Sequence, residues 1–513
     1  MSKISIPWGW FLGIAICGSS TNCAFAQIIP DGTLPNNSSV KLEGNNSIIE
    51  GGTQAGGNLF HSFREFSVPT NGAALFNNAV DIQNIISRVT GGSVSDINGL
   101  IRTNGIANLF LLNPNGIIFG PHASLDIKGS FVASTATSLK FADGIEFSAT
   151  NSQTTPLLTV SVPIGLQLGS NRGSILNQSQ AINSDRNGEI VGLQVEPSKT
   201  LALVGGDIAL EGGYLTAAGG RIELGSVAGL SFVSLNPTNS GWILGYDGVQ
   251  NFRDIKLSQR AVVDASGSGG GDIQVQGRQV TVTDGSQIAA KTLETGLGGA
   301  LSINASDFVQ VSGESANPQD FSRLTTRTEG SGDAGNLTIT TSKFIVQKGA
   351  QVSSGTRPRS TGNGGNLIIN ASDSVDVSGE SVDGGVNSRL TTRTEGGGNA
   401  GNLTITTGKL IIQAGGQIST GTLANSQGNG GNLTVNASDL VAVSGESVNG
   451  EVNSRLTTRT EGGGDAGNLT ITTGKLIIQA GGQISTGTLA NSQGNGGNLT
   501  VNASDLVAVS GES

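Results

Sequence analysis

Little in this 513-residue sequence can staple, hinge or catalyse. It holds two cysteines, Cys17 and Cys23, both within the first 26 residues, so the remainder has no disulfide, no thiolate nucleophile and no sulfur ligand for a metal. Its two histidines, His61 and His122, lie far apart in sequence, which leaves little general-base or zinc chemistry. Aromatic residues make up 4%, proline occupies 12 positions and methionine one. Only 13% of residues are charged while 36% are hydrophobic, a balance that excludes intrinsic disorder. The net charge of −10, with no run of Lys or Arg, argues against a nucleic-acid partner and against an anionic membrane surface. Beyond the first segment no apolar run approaches the roughly 18 residues of a transmembrane helix, so no transmembrane segment is expected.

What is abundant is glycine, at 80 residues, together with Thr, Ser, Asn, Val, Ile and Leu. These are the residues of short strands and frequent turns. Residues 1–26 read as a secretory signal peptide. Lys3 supplies the positive end, Phe11 to Ile16 the apolar centre, and Ala24-Phe25-Ala26 a small-x-small cleavage site. The mature chain, from near Gln27, is then free of cysteine. That suits a chain which must thread a pore unfolded, and it equally suits a composition in which cysteine is merely scarce.

From residue 27 to about 150, apolar and polar residues alternate in short segments, the period of half-buried strands. Ser39 to Gly44 and Ser47 to Gly52 form a first pair around Asn45-Asn46. Phe60, Phe63 and Phe66 make the densest aromatic patch and are expected to cap the open end of a hydrophobic column. Within an apolar run from Ala107 to Gly120 stands Asn113-Pro114-Asn115-Gly116-Ile117. Physically this is a tight turn between two buried strands: Pro114 presets φ, and Asn115-Gly116 tolerates left-handed conformations.

Residues 151–270 keep strands and glycine turns without a clean period, an irregular β-helix extension. Trp242, Tyr246 and Phe252 fall together there and read as packing between coils rather than a ligand platform. From 271 to 513 the chain repeats. Glycines 271, 299, 335, 365, 401, 431, 467 and 497 recur at spacings of 28 residues and then 36 and 30 in alternation, a 66-residue unit of two coils. Each coil divides into three strands, for example Asn432 to Asn436, Leu440 to Val443 and Arg455 to Arg459. The expected fold is all-β: a right-handed parallel β-helix with three strands per coil, continuous with a β-rich amino-terminal domain. Leu337, Leu367, Leu403, Leu433, Leu469 and Leu499 would stack as an interior column. Asn336, Asn366, Asn402, Asn432, Asn468 and Asn498 would form a structural ladder, each side chain bonding its neighbours above and below. The sequence halts in mid-repeat at Ser513 without a candidate cap, which is expected of a fragment or a truncated product.

An enzyme on this scaffold would need a unique cluster of carboxylates and bases. Most acids of the second half recur from unit to unit, as Asp373 and Asp439 do, and the non-repeating ones, such as Glu223 and Asp254, form no motif. No catalytic residue, metal ligand or cofactor site is therefore expected.

The order of motifs in residues 36–136 resembles the secretion domain that opens filamentous-haemagglutinin-like exoproteins of two-partner secretion systems. The shared elements are a Phe-rich segment, an Asn turn, the Ile86-Ser87-Arg88-Val89 strand, Gly99-Leu100-Ile101, and the intact turn Asn113 to Ile117. A second Asn turn of some members has only a weak counterpart in Asn77-Asn78. The glycine-rich composition is most similar to cyanobacterial members. The resemblance implies a secretion-domain core over residues 27–150 and export through the Sec pathway and periplasm to the cell surface or medium. It implies as partner an outer-membrane β-barrel transporter with periplasmic recognition domains, and as mature role adhesion to a surface polysaccharide or a receptor on a host or neighbouring cell. The turn from Asn113 to Ile117 would serve in secretion recognition. The alternatives are a carbohydrate-active β-helix enzyme, or the stalk of an autotransporter or toxin-delivery protein.

Overall fold

A computed structural model describes residues 27–511 except 152–155, 171–172, 184–187 and 318–319. The expected signal peptide therefore lies outside the described residues. The described residues form strands and turns with no α-helix.

The architecture is a parallel β-helix. Its longest ladder begins at Asn58–Phe66 and climbs through Asn84–Val89, Asn108–Leu112, Phe131–Ser134, Thr200–Gly205 and Arg221–Ala228 to Asp272–Thr283, every step parallel. It continues coil upon coil to Leu499–Val509. A second side, from Ser95–Ile97 through Ile117–Phe119 and Ile175–Asn177 to Ile255–Ser258, merges with the first. Asp272 to Gln276 stacks on Arg221–Ala228, whereas Val280 to Val282 stacks on Ile255–Ser258. From that point two of the three sides share one strand. The expected pair Asn432 to Asn436 and Leu440 to Val443 is thus the single strand Leu433–Ser444, bent where the register shifts between Ala437 and Leu440. A bulge bends a strand without ending its hydrogen bonds, and apolar alternation alone does not distinguish it from a turn. The third side is separate, running from Tyr214–Thr216 to Gln483–Thr488.

Inside, leucines at one register position lie directly over each other, and those from Leu337 to Leu469 are fully buried. Beside them the corner glycines bring main chain against main chain. A Cβ on Gly431 would sit 1.9 Å from the carbonyl oxygen of Gly401, and one on Gly401 1.9 Å from that of Gly365.

The amino-terminal end is closed by antiparallel structure. Ile28–Pro30 and Thr53–Ala55 both pair with Asn58–Phe66, and Ser38–Glu43 forms a hairpin with Asn46–Gly51. Phe63 and Phe66 enter the interior column there, 5.3 Å apart, but Phe60 faces the other way. It joins a second core with Phe110, Leu112, Phe141 and Phe147, roofed by an antiparallel sheet of Ser138–Phe141, Glu146–Ser148, Pro163–Leu168, Ser231–Pro237 and Trp242–Gly245. The segment read as an irregular extension thus supplies part of an outer layer. The expected aromatic cluster divides there: Trp242 meets Phe110 at 4.9 Å, and Tyr246 meets Phe252 at 6.3 Å. Under the roof lies Glu223, fully buried, with Oε1 3.0 Å from Arg221 and Oε2 without a partner among the described residues. Burial outweighs Arg221 and pushes its carboxyl from 4.5 up to about 7.

Two expectations follow. Gly431→Ala has no room for its methyl group and should cost about 2 kcal/mol or more in urea unfolding, with faster amide exchange in the adjacent coils. Because the folded-state value of Glu223 is raised, its contribution to stability is full below pH 4.5 and declines as pH climbs toward 7. The loss should approach about 3 kcal/mol. It can be read from urea midpoints followed by Trp242 fluorescence, and Glu223→Gln should flatten the profile; an unchanged profile in that variant would refute the assignment.

Candidate functional site

The segment Asn113 to Ile117 is a coil corner. It carries the chain from Asn108–Leu112 on one side of the helix to Ile117–Phe119 on the next. The Gly116 N–H donates to the Asn113 carbonyl at 3.1 Å and closes the turn. Pro114 stands at the second position, where its fixed φ suits the bend. Only Gly116 adopts a positive φ, +126°, and Asn115 stays in ordinary right-handed or extended space. This narrows the sequence expectation, which allowed left-handed geometry at both.

The corner is clamped between coils. Asn113, fully buried, donates through Nδ2 to the Ser93 carbonyl at 3.0 Å and to Ser95 Oγ at 2.9 Å, while its Oδ1 accepts the Asn115 N–H at 3.0 Å. On the other side the Gly173 N–H donates to the Pro114 carbonyl at 2.8 Å and the Ile117 N–H to the Ser174 carbonyl at 3.1 Å. A Cβ on Gly116 would meet that Ser174 oxygen at 3.1 Å. Of the motif only Asn115 is exposed, and its Nδ2 donates to the Gly91 carbonyl at 2.6 Å. Most of the segment is therefore architecture, and Asn115 with the turn's outline is what a partner can reach.

A residue to which the sequence reading assigned no role, Arg88, ties this end together. It is fully buried; its Nε donates to Ser62 Oγ and Nη2 to Thr33 Oγ1, each at 2.8 Å, and Nη1 reaches the Ser148 carbonyl. The guanidinium lies 4.3 Å over the Phe147 ring. Asp31, held below its usual carboxylate range by hydrogen bonds from Ser62, Thr90 and Thr33 that outweigh burial, is the nearby counter-charge. One side chain so joins the first coils, the amino-terminal loop and the outer sheet. Its sequence signal was the Ile86-Ser87-Arg88-Val89 strand, in which the arginine carried no assigned role.

The asparagines from Asn336 to Asn498 line one corner of the repeats. Each one above Asn336 donates its main-chain N–H to Oδ1 of the asparagine below at 2.9 Å, as Asn366 to Asn336 and Asn498 to Asn468. The contact is main chain to side chain, not amide to amide. A second ladder of the same kind, absent from the sequence expectation, runs through Asp333, Asn363, Asn399, Asn429, Asp465 and Asn495 at 2.7–3.0 Å. The substitution of Asp for Asn at positions 333 and 465 disguised it.

Compared with known proteins, the model of the TPS secretion domain family matches residues 26–275. Among solved structures, the HMW1 secretion domain from Haemophilus influenzae aligns at 16% identity and TM-score 0.49, covering 93% of this chain and 100% of that one. A filamentous hemagglutinin secretion domain aligns at 16% identity and TM-score 0.31, covering 74% and 99%. No curated protein matches the sequence. With its parallel coils in place, the chain carries a TPS secretion domain over residues 26–275.

Proposed function

We propose that this chain is a non-enzymatic adhesin, exported through the Sec route and then through an outer-membrane β-barrel transporter whose periplasmic domains capture the secretion domain. The observation that carries the reading is the family match over residues 26–275. The architecture supports it. The secretion domain is closed at its amino-terminal end by antiparallel strands, and from there every coil lies in parallel register on its predecessor. A chain threading outward can therefore add coils one at a time, each templated by the last. The recurrence of acids such as Asp373 and Asp439 from unit to unit favours a repeated surface over a single catalytic centre.

Within this reading the corner at Asn113 to Ile117 serves capture, with Asn115 as the contact and Gly116 as the support of its shape. Co-expression with the transporter, followed by counting chain at the surface and in the periplasm, tests it. The double variant N115A/G116A should accumulate in the periplasm with export reduced at least about tenfold. Asn115→Ala alone should weaken capture while the purified protein melts within a few degrees of the parent. Gly116→Ala, strained at positive φ, should also lower the melting temperature. Normal export of the double variant would overturn the assignment.

A further inference from the structure

The third side of the repeats carries charge in an ordered way. Along each of its strands the inward positions are apolar or Thr, as Leu390 and Thr392 are, and the outward positions alternate with them. Arg323, Arg389 and Arg455 share one outward register position, separated in the intervening coils by Gln351 and Gln417. Four residues further along the same strands stand Arg327, Arg393 and Arg459, separated by Gly355 and Gly421. Between the two columns runs a third of Thr391, Ser419, Thr457 and their equivalents. Coils about 4.8 Å apart place successive arginines of a column roughly 9.5 Å apart, and four strand residues separate the columns by about 13 Å.

These charges are poorly compensated. Arg327 and Arg459 each meet a glutamate two residues on, Glu329 and Glu461, at 3.1 Å, but among the described residues Arg323, Arg389, Arg393 and Arg455 form no ion pair. Arg389 donates to Gln351 Oε1 at 2.9 Å, and Arg393 to Ser419 Oγ at 3.0 and 2.7 Å. Arg455 Nε, Arg459 Nε and Thr457 Oγ1 are buried and find no partner among the described residues. Burial, and after it the neighbouring guanidiniums, lowers Arg393 to about 10 and holds Arg455 below its usual value. Arg323, Arg327, Arg357, Arg389 and Arg393 line a cleft of about 180 Å³ together with one carboxylate, Glu395, 3.5 Å from Arg357. A sheet face needs none of this for its fold, since Gln351 and Gln417 fill the same register position uncharged. Like charges held together with only part of their charge balanced, here by Glu329, Glu395 and Glu461, cost stability, and an anionic ligand would relieve that cost.

We propose that this face binds a linear acidic polysaccharide, laid along the helix axis across successive coils, with its carboxylate or sulfate groups on the arginines and its hydroxyls on the Ser and Thr column. The guanidinium fork matches both anions. Weak contacts repeated every second coil add by multivalency. Nucleic acid fits less well: its phosphates are spaced at about 3.4 Å per strand, far denser than the arginines, and the net charge of −10 repels it. The Ser and Thr column also offers no aromatic stacking platform for bases. This inference deepens the adhesive reading and rests on it for its biological setting, while the binding itself is independent of export.

The test uses the full chain against immobilised polygalacturonate, dextran sulfate, unsubstituted dextran and single-stranded DNA, each over a range of salt. Binding to one or both acidic glycans, falling with salt and absent on dextran, is expected. R389Q/R393Q should weaken it about tenfold, and adding R455Q/R459Q should abolish it, while K409Q/K475Q on a different side leaves it unchanged. The Gln variants should keep the parent β-sheet spectrum and melting temperature, which separates lost binding from lost fold. Undiminished binding by the quadruple variant, equal binding to dextran, or tighter binding to DNA would each overturn the proposal. If the parent adheres to cells and the quadruple variant adheres equally well, this inference fails and the adhesive reading stands.

Discussion

Each coil of this protein is held by the coil beneath it, through a row of main-chain hydrogen bonds and a layer of aliphatic side chains that must superimpose. The constraint is geometric before it is energetic. Parallel strands leave both edges of a lone coil unpaired and half its apolar layer open, so a coil has no stable existence without a neighbour. Close approach is enforced at the corners, where Gly365, Gly401 and Gly431 bring one carbonyl to where the next residue's Cβ would otherwise be. The abundance of glycine, which in a helix or a lone strand would be a weakness, is here the condition for stacking.

That constraint also made much of the fold legible in the sequence. A register position that must be filled identically in every coil writes itself as a period, and so the leucine column from Leu337 to Leu469 could be placed from spacing alone. The turn at Asn113 to Ile117 was legible because Pro and Gly have few other uses in an apolar run. What escaped was whatever depends on the second face of a strand. Alternation says that Phe60 and Phe63 point to opposite sides, yet nothing local says that a roof of antiparallel strands awaits Phe60. Arg88 was hidden for the same reason, because its partners Thr33, Ser62 and Ser148 come from three distant segments. The bulge at Ala437 went unseen because a strand that bends and a strand that ends look alike in a pattern of apolar residues.

The two-coil period has a physical meaning of its own. Interior packing asks only for one coil repeated, and Leu403 and Leu433 occupy the same position in coils of different length. The 66-residue unit is set by the outside. The longer coil carries a loop closed by the bridge of Glu446 with Asn453, and the Val448 N–H in that loop donates to Glu380 Oε1 of the loop two coils below at 3.0 Å. Arginines on the third side alternate with Gln and Gly in the same rhythm. Loops of this size and guanidiniums of this charge would collide at the spacing of one coil, whereas alternation gives each the room of two.

Stability in such a chain is also distributed in a way that suits passage through a pore. Among the described residues of the repeats, hydrogen bonds reach no farther than the loops two coils away, and beyond Cys23 the sequence has no cysteine to lock an early misfold. The exception is the amino-terminal end, where Arg88, the hairpin and the roof join segments from Asp31 to Trp242 into one body. This end is rich in long-range and aromatic contacts, and its first rung is covered by antiparallel strands rather than by another coil. A template has to hold its shape before anything is laid on it. The chain accordingly concentrates its non-local contacts where the first coil is made and relies on local ones thereafter.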